Sequence, residues 1–196
     1  MRVKICGITS LEDAEHAVAA GADALGFVFF PNSPRYLAPE TARALVDRLP
    51  PFVEKVGLFV HETPQTIDRI CAETGMTLAQ IHFEVDAAFL DALRTPALPV
   101  VRAKTPDDLD RFADRYRLVD AYVEQYGGAG KRLALEWFEG RDNRRTILAG
   151  GLTPENIHQT LPYRFYGVDV SSGVEAKPGT KDPLKVERFI QNAKAF

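Results

Sequence analysis

The sequence predicts an α/β protein built as one parallel, eight-stranded (β/α)8 barrel of the TIM type. Two observations carry that expectation. Eight short β-rich runs recur along the chain at intervals of roughly 20 to 30 residues, and amphipathic helical stretches separate most of them. A third sharpens it: several runs end in polar residues that alternate with apolar ones, as strands of a closed barrel do when one side faces helices and the other the barrel axis. At 196 residues the chain is shorter than the about 250 typical of this fold, and an open doubly wound sheet is the alternative.

Taken in order, the strand runs are VKICG (3–7), ALGFVFF (24–30), VEKVGLFV (53–60), TLAQIH (77–82), LPVVRA (98–103), RLVDAYV (117–123), RTILAGG (145–151) and YGVDVSSG (166–173). Helical stretches follow the first three, as SLEDAEHAVAAG, APETARALVDRL and TPQTIDRICAET, and the last two, as TPENIHQTL and DPLKVERFIQNAK. Several open on a Ser, Thr or Asp cap or an early Pro, which are helix-start signals. The helix starting at Thr153-Pro154 belongs to this set. The slots after TLAQIH and before RTILAGG carry little helical periodicity, so at least one irregular or missing helix is expected.

Strand alternation places candidate functional residues. In the first run Val3 and Ile5 face the helices and send Lys4 and Cys6 inward; in the fourth, Ala79 and Ile81 face out and Gln80 and His82 in; in the last, Val168 and Val170 face out and Asp169 in. Active groups of such barrels sit at the C-terminal strand ends. Each buried polar group there needs a partner or a ligand.

Composition narrows the function classes. With 45% hydrophobic and 26% charged residues, one core and one domain spanning 1–196 are expected. A formal charge of −3 argues against a nucleic-acid or anionic-membrane partner, so any anionic ligand is held locally. The two cysteines, Cys6 and Cys71, form no disulfide framework or zinc set, and His16, His61 and His158 have no metal spacing. Cys71, flanked by Ile67 and Ile70 at helical spacing, reads as packing. No run approaches the roughly 18 apolar residues of a membrane span, and no export segment is read, so a cytoplasmic protein is expected, as a monomer or a homodimer.

Two glycine-rich loops point to a phosphate. LAGGLTPENI ends a strand in Gly150-Gly151, and DVSSGVE ends the next in Ser171, Ser172 and Gly173. Each alone reads equally as a plain strand-to-helix turn, but the loops after strands seven and eight are the usual phosphate site of this barrel. A phosphosugar ligand follows.

Those loops, with VKICGIT, GFVFFPNSPRY, LVDAYVEQYGGAGK and GVDVSSGVE, resemble phosphoribosylanthranilate isomerase of tryptophan biosynthesis, and the resemblance runs almost end to end. It implies an Amadori rearrangement of an aminoaldose to an aminoketose, with no metal or organic cofactor. It puts the general base at Cys6, the general acid at Asp120, and the residue for the anthranilate carboxylate at Arg35. A thiol titrating near about 8.5 needs a neighbouring cation or donor to act as a base; Lys4 shares its face, one layer deeper. Asp120 needs a raised pKa to donate a proton near neutrality. Asp169 is expected to meet a ribose hydroxyl or to pair with Lys4. His82, in QIHF, falls where the family has Gln-Leu-His-Gly; Phe83 replaces the glycine and makes that loop bulkier. In GGAGKRLALEW, Ala129 stands where the family commonly has Ser or Thr, and the link to the next aromatic is longer, so the loop after strand six is altered. Related histidine-pathway isomerases would carry Asp in place of Cys6, and indoleglycerol-phosphate synthases would use lysines. A barrel that binds a phosphosugar without turnover is the remaining alternative.

Overall fold

The computed structural model describes residues 1–121 and 132–195. Eight strands, β1 (Arg2–Cys6), β2 (Ala24–Val28), β3 (Glu54–Phe59), β4 (Leu78–Ile81), β5 (Ala97–Ala103), β6 (Arg117–Ala121), β7 (Thr146–Leu148) and β8 (Gly167–Val170), pair in chain order, and β8 returns to β1. All eight pairings are parallel. The closed barrel replaces the open-sheet alternative. Its last register sets Lys4 beside Asp169 and its first sets Cys6 beside Gly26.

The alternation read from the sequence separates two cores. Val3, Ile5, Ala79, Ile81, Val168 and Val170 belong to the large apolar layer between sheet and helices. Leu98, Val100, Leu118 and Ala149 form a smaller cluster, with Leu78 and Ile147 packed on it. These are the strand positions of opposite parity, which fill the barrel axis. The buried polar residues Lys4, Gln80, Arg102 and Asp169 share that parity.

Five α-helices among the described residues lie between strands or after them, most with clear start signals. α1 (Leu11–Ala19) starts at Ser10, whose side chain accepts from the Asp13 N–H. α2 (Pro39–Val46) has Pro at its first turn, and α3 (Pro64–Thr74) starts at Thr63 and stops at Gly75, whose φ of 73° ends it in the left-handed region. A short α4 (Ala87–Asp91) follows β4, and α5 (Pro183–Lys194), capped by Asp182, closes against α1. The remaining slots hold 3₁₀ turns at Pro106–Asp110, Leu135–Phe138 and Ile157–Tyr163. The expected irregular helices are therefore found, and the helix placed at Thr153-Pro154 is corrected: Asn156 ties back to Thr153 N and Gly151 O, delaying helical structure to Ile157, and Pro162 lies within the turn. A two-stranded ribbon, β9 (Glu175–Lys177) with β10 (Thr180–Lys181), follows β8.

Candidate active site

The C-terminal ends of the strands converge on one cavity. Cys6, Arg35, His82, Asp120, Asp169 and Ser171 all line it, so six residues singled out in the sequence meet in space. Cys6 ends β1 and Asp120 lies near the end of β6, with β7 and β8 between them around the barrel. The two therefore approach the cavity from different sides.

Asp120 is set up to hold a proton. Burial first, and then the negative charge of Asp169, push its carboxyl up to about 7, against the Ala121 N–H, which donates to Asp120 Oδ1 at 2.7 Å, and the cations Arg102 and Lys4. His82 does not compete for that proton: burial, then the charges of Arg102 and Lys4, lower its ring to about 3, so it is neutral near pH 7. Gln80 Nε2 lies 3.1 Å from His82 Nδ1. An amide NH2 only donates, so Nδ1 accepts and the ring proton sits on Nε2, which is 4.0 Å from Asp120 Oδ2.

Cys6 is a buried thiol among charges. Burial raises its pKa above the ordinary value, and Asp169 adds to this; Lys4 and Lys181 oppose them without overcoming burial. Among the charges around Cys6, the Lys4 ammonium, which donates to Asp169 Oδ1, is the one that opposes burial most. Between the two partners left open for Asp169, the structure contains the Lys4 pair, at 2.7 Å and buried on both sides. The carboxylate also lines the cavity.

Arg35 differs from expectation in one respect. Its Nε and Nη2 already donate to Glu175 Oε1 and Oε2 at 2.8 and 2.7 Å, a parallel pair that occupies one edge of the guanidinium. The edge formed by Nη1 and Nη2 is the one left for an incoming carboxylate. Lys181 Nζ donates to Glu175 Oε1 at 3.0 Å, so one buried carboxylate holds two buried cations. Glu175, Lys181 and Arg102 were not singled out in the sequence.

The two glycine-rich loops pack into each other. Gly150 and Gly151 have φ of 89° and 61°, and a Cβ on Gly173 would fall 1.8 Å from the Leu152 carbonyl oxygen. Ser171 Oγ is buried and has no hydrogen-bond partner among the described residues. Phe83 packs against His61 and Phe89, with ring centroids 5.4 Å away in each case, and is not among the residues lining the cavity. Ala129 and the altered stretch after strand six lie in 122–131, outside the described residues.

The model of the family described as N-(5'phosphoribosyl)anthranilate (PRA) isomerase matches residues 3–192. The chain belongs to this family. A phosphoribosylanthranilate isomerase of Sulfurovum sp. (strain NBC37-1) is 64% identical over 196 residues, covering 100% of both chains. A crystal structure of a phosphoribosylanthranilate isomerase in complex with reduced 1-(o-carboxyphenylamino)-1-deoxyribulose 5-phosphate superposes with a TM-score of 0.87 at 39% identity, covering 100% of both chains. A structure of monomers of the dimeric phosphoribosylanthranilate isomerase of Thermotoga maritima gives 0.86 at 38% identity, with the same coverage. No described helix is long and apolar enough to cross a membrane, and no group of three or more His, Cys, Asp or Glu among the described residues could hold a metal ion.

Within the phosphoribosylanthranilate isomerase fold, Cys71 is a core residue. It is buried in α3, where burial pushes its thiol up to about 11. That placement agrees with the packing role read from its helical spacing.

Proposed function

We propose that Cys6 and Asp120 are the general base and general acid with which this chain, an isomerase of tryptophan biosynthesis, rearranges N-(5-phosphoribosyl)anthranilate to 1-(2-carboxyphenylamino)-1-deoxyribulose 5-phosphate. The observation that carries the assignment is the environment of Asp120: a carboxyl held at about 7 in the same cavity as a thiol. Asp120 gives its proton to the ribose ring oxygen as the C1′–O bond breaks and the nitrogen lone pair forms a C1′=N Schiff base. The Cys6 thiolate then takes the proton on C2′. The C–H electrons form C1′=C2′, and the C1′=N pair returns to nitrogen, giving the enolamine. Loss of the enol proton and protonation at C1′ yield the ketone. Each proton transfer is worth typically about 10²- to 10⁴-fold.

The other groups hold substrate. The Nη1–Nη2 edge of Arg35 takes the anthranilate carboxylate. Gly150, Gly151, Ser171, Ser172 and Gly173 take the phosphate, an assignment supported by the unpartnered Ser171 hydroxyl and by the backbone contact between the two loops at Gly173. The Asp169 carboxylate and the Nε2–H of His82 meet ribose hydroxyls. The reading needs no cofactor, and it treats residues 1–196 as one phosphate-binding barrel in the cytoplasm.

The chain acts as a homodimer in this reading. A cavity of about 820 Å³ opens at the other end of the barrel, where the strands begin, with Val53, Leu98, Tyr116 and Tyr166 among its walls. It contains neither Cys6 nor Asp120, so it is not the catalytic cavity despite its size. Phe52 beside it is 101% exposed. A second copy would remove that ring from water, worth about 2 kcal/mol per copy. Light scattering should give a dimer mass that falls to the monomer mass in Phe52→Glu; a monomeric wild type would reject this assembly.

Turnover tests the chemistry. With substrate generated in situ, Cys6→Ala and Asp120→Asn should each retain the fold and lose about 10²-fold or more in kcat. Full activity in either folded variant would reject its assignment.

A further inference from the structure

The mechanism above uses Cys6 and leaves the buried Lys4 without a stated role. Both side chains point inward from β1, and the residue paired with Cys6 on β2 is Gly26. A Cβ on residue 26 would lie 2.8 Å from Cys6 Sγ, 2.9 Å from Lys4 Nζ and 3.0 Å from Lys4 Cε, closer than van der Waals contact allows for the sulfur. The sulfur and the ammonium thus share the notch left by the missing side chain. From there Lys4 Nζ donates to Asp169 Oδ1 at 2.7 Å, and its positive charge favours the Cys6 thiolate.

We propose that Lys4 is the positioning residue of the base, its ammonium lodged against the Cys6 sulfur in a notch that exists because residue 26 is glycine. The inference rests on Cys6 being the base. Four charged groups face the sulfur: Lys4 from β1, Asp169 from β8, Lys181 from β10 and Arg35 from the loop after β2. Asp169 opposes a thiolate, and the three cations favour it. Among them Lys4 is the one whose charged group shares the notch at Gly26 with the sulfur. Burial disfavours its charge, but Asp169 and Cys6 more than compensate, and its pKa stays above the ordinary lysine value. Lys4 therefore remains an ammonium and does not accept the cysteine proton, which passes to water. When Cys6 takes the C2′ proton it becomes neutral again, and Lys4 is left paired with Asp169 alone.

The test reads the sulfur directly. In a Cys71→Ala background, the pH dependence of Cys6 alkylation by iodoacetamide is compared for Lys4, Lys4→Met and Gly26→Ala. Lys4→Met should move the midpoint up by a unit or more, so that alkylation well below the midpoint slows at least tenfold. Gly26→Ala keeps every charge and should move it the same way by parting ammonium from sulfur; it decides the matter if Lys4→Met fails to fold. An unmoved midpoint in a folded variant overturns the inference. Isomerase kinetics on the same proteins separate the two claims. A raised midpoint with kcat reduced and KM little changed supports both. A raised midpoint with unchanged kcat keeps the Lys4–Cys6 link and rejects Cys6 as the base.

Discussion

The acid assignment makes Asp120 a group that costs stability, and Asp120→Asn measures the cost. The Asp120 carboxyl titrates at 3.8 as a free side chain and at about 7 in the folded protein. A group whose folded pKa is raised binds more protons folded than unfolded, so folding is not penalised below about pH 4 and loses stability as pH rises through about 7. At about 1.4 kcal/mol for each pH unit separating those two values, the full penalty above pH 8 is on the order of 4 kcal/mol, an upper bound because the side chain is partly open to the cavity. An asparagine keeps the oxygen that accepts from Ala121 N–H and carries no charge to bury. For a domain of this size each kcal/mol moves Tm by about 2–4 °C, so Asp120→Asn should melt above wild type at pH 8 by at most about 8–16 °C. The advantage should shrink steadily toward pH 4. Thermal melts of both proteins from pH 4 to 9 measure it. A variant that is uniformly less stable, or whose advantage does not change with pH, would refute the argument.

Further expectations follow from the surrounding contacts. Gly173→Ala puts a methyl against the Leu152 carbonyl, so one loop must shift; it should lower stability by about 1–3 kcal/mol and raise KM roughly tenfold, read by thermal melts and by titration of the phosphate-bearing substrate. Glu175→Ala leaves Arg35 and Lys181 buried without their shared carboxylate and should cost about 3–5 kcal/mol in denaturant unfolding. Glu175→Gln releases the Nε–Nη2 edge of Arg35; it should raise KM for the anthranilate adduct several-fold and leave the aniline adduct, which has no carboxylate, unaffected in steady-state assays.

The barrel was legible because alternation and spacing are local properties of the chain. Val3, Ile5, Ala79, Ile81, Val168 and Val170 fall in the outer core as their parity requires, and Lys4, Gln80 and Asp169 are buried among polar partners. The two weak helical slots hold the short α4 and the 3₁₀ turn at Leu135–Phe138, as low periodicity indicates. TPENIHQTL misled because its Thr-Pro start and helical spacing are genuine signals, overruled by the Asn156 side-chain contacts with Thr153 and Gly151. In the site, Cys6, Asp120 and Arg35, picked out through their motifs, line one cavity. Glu175 was not picked out, since its partner Arg35 is 140 residues away and no local pattern links them. Arg102 could have been found, because Val101 and Ala103 on either side belong to the outer layer and leave it facing inward.

The acid and base are tested together by the pH dependence of kcat/KM, which reports the free enzyme. The reactive form pairs a protonated Asp120 with a Cys6 thiolate. Below about 7 the thiolate fraction grows tenfold per unit; above about 7 the loss of the Asp120 proton offsets that gain, until the pH reaches the cysteine's own pKa, which burial raises above the ordinary thiol value. Wild type should therefore rise to a break near pH 7 and level off. In Asp120→Asn the break should disappear and the residual activity should keep climbing through pH 9. A break near pH 7 that survives unchanged in Asp120→Asn would contradict the assignment of Asp120 as the acid.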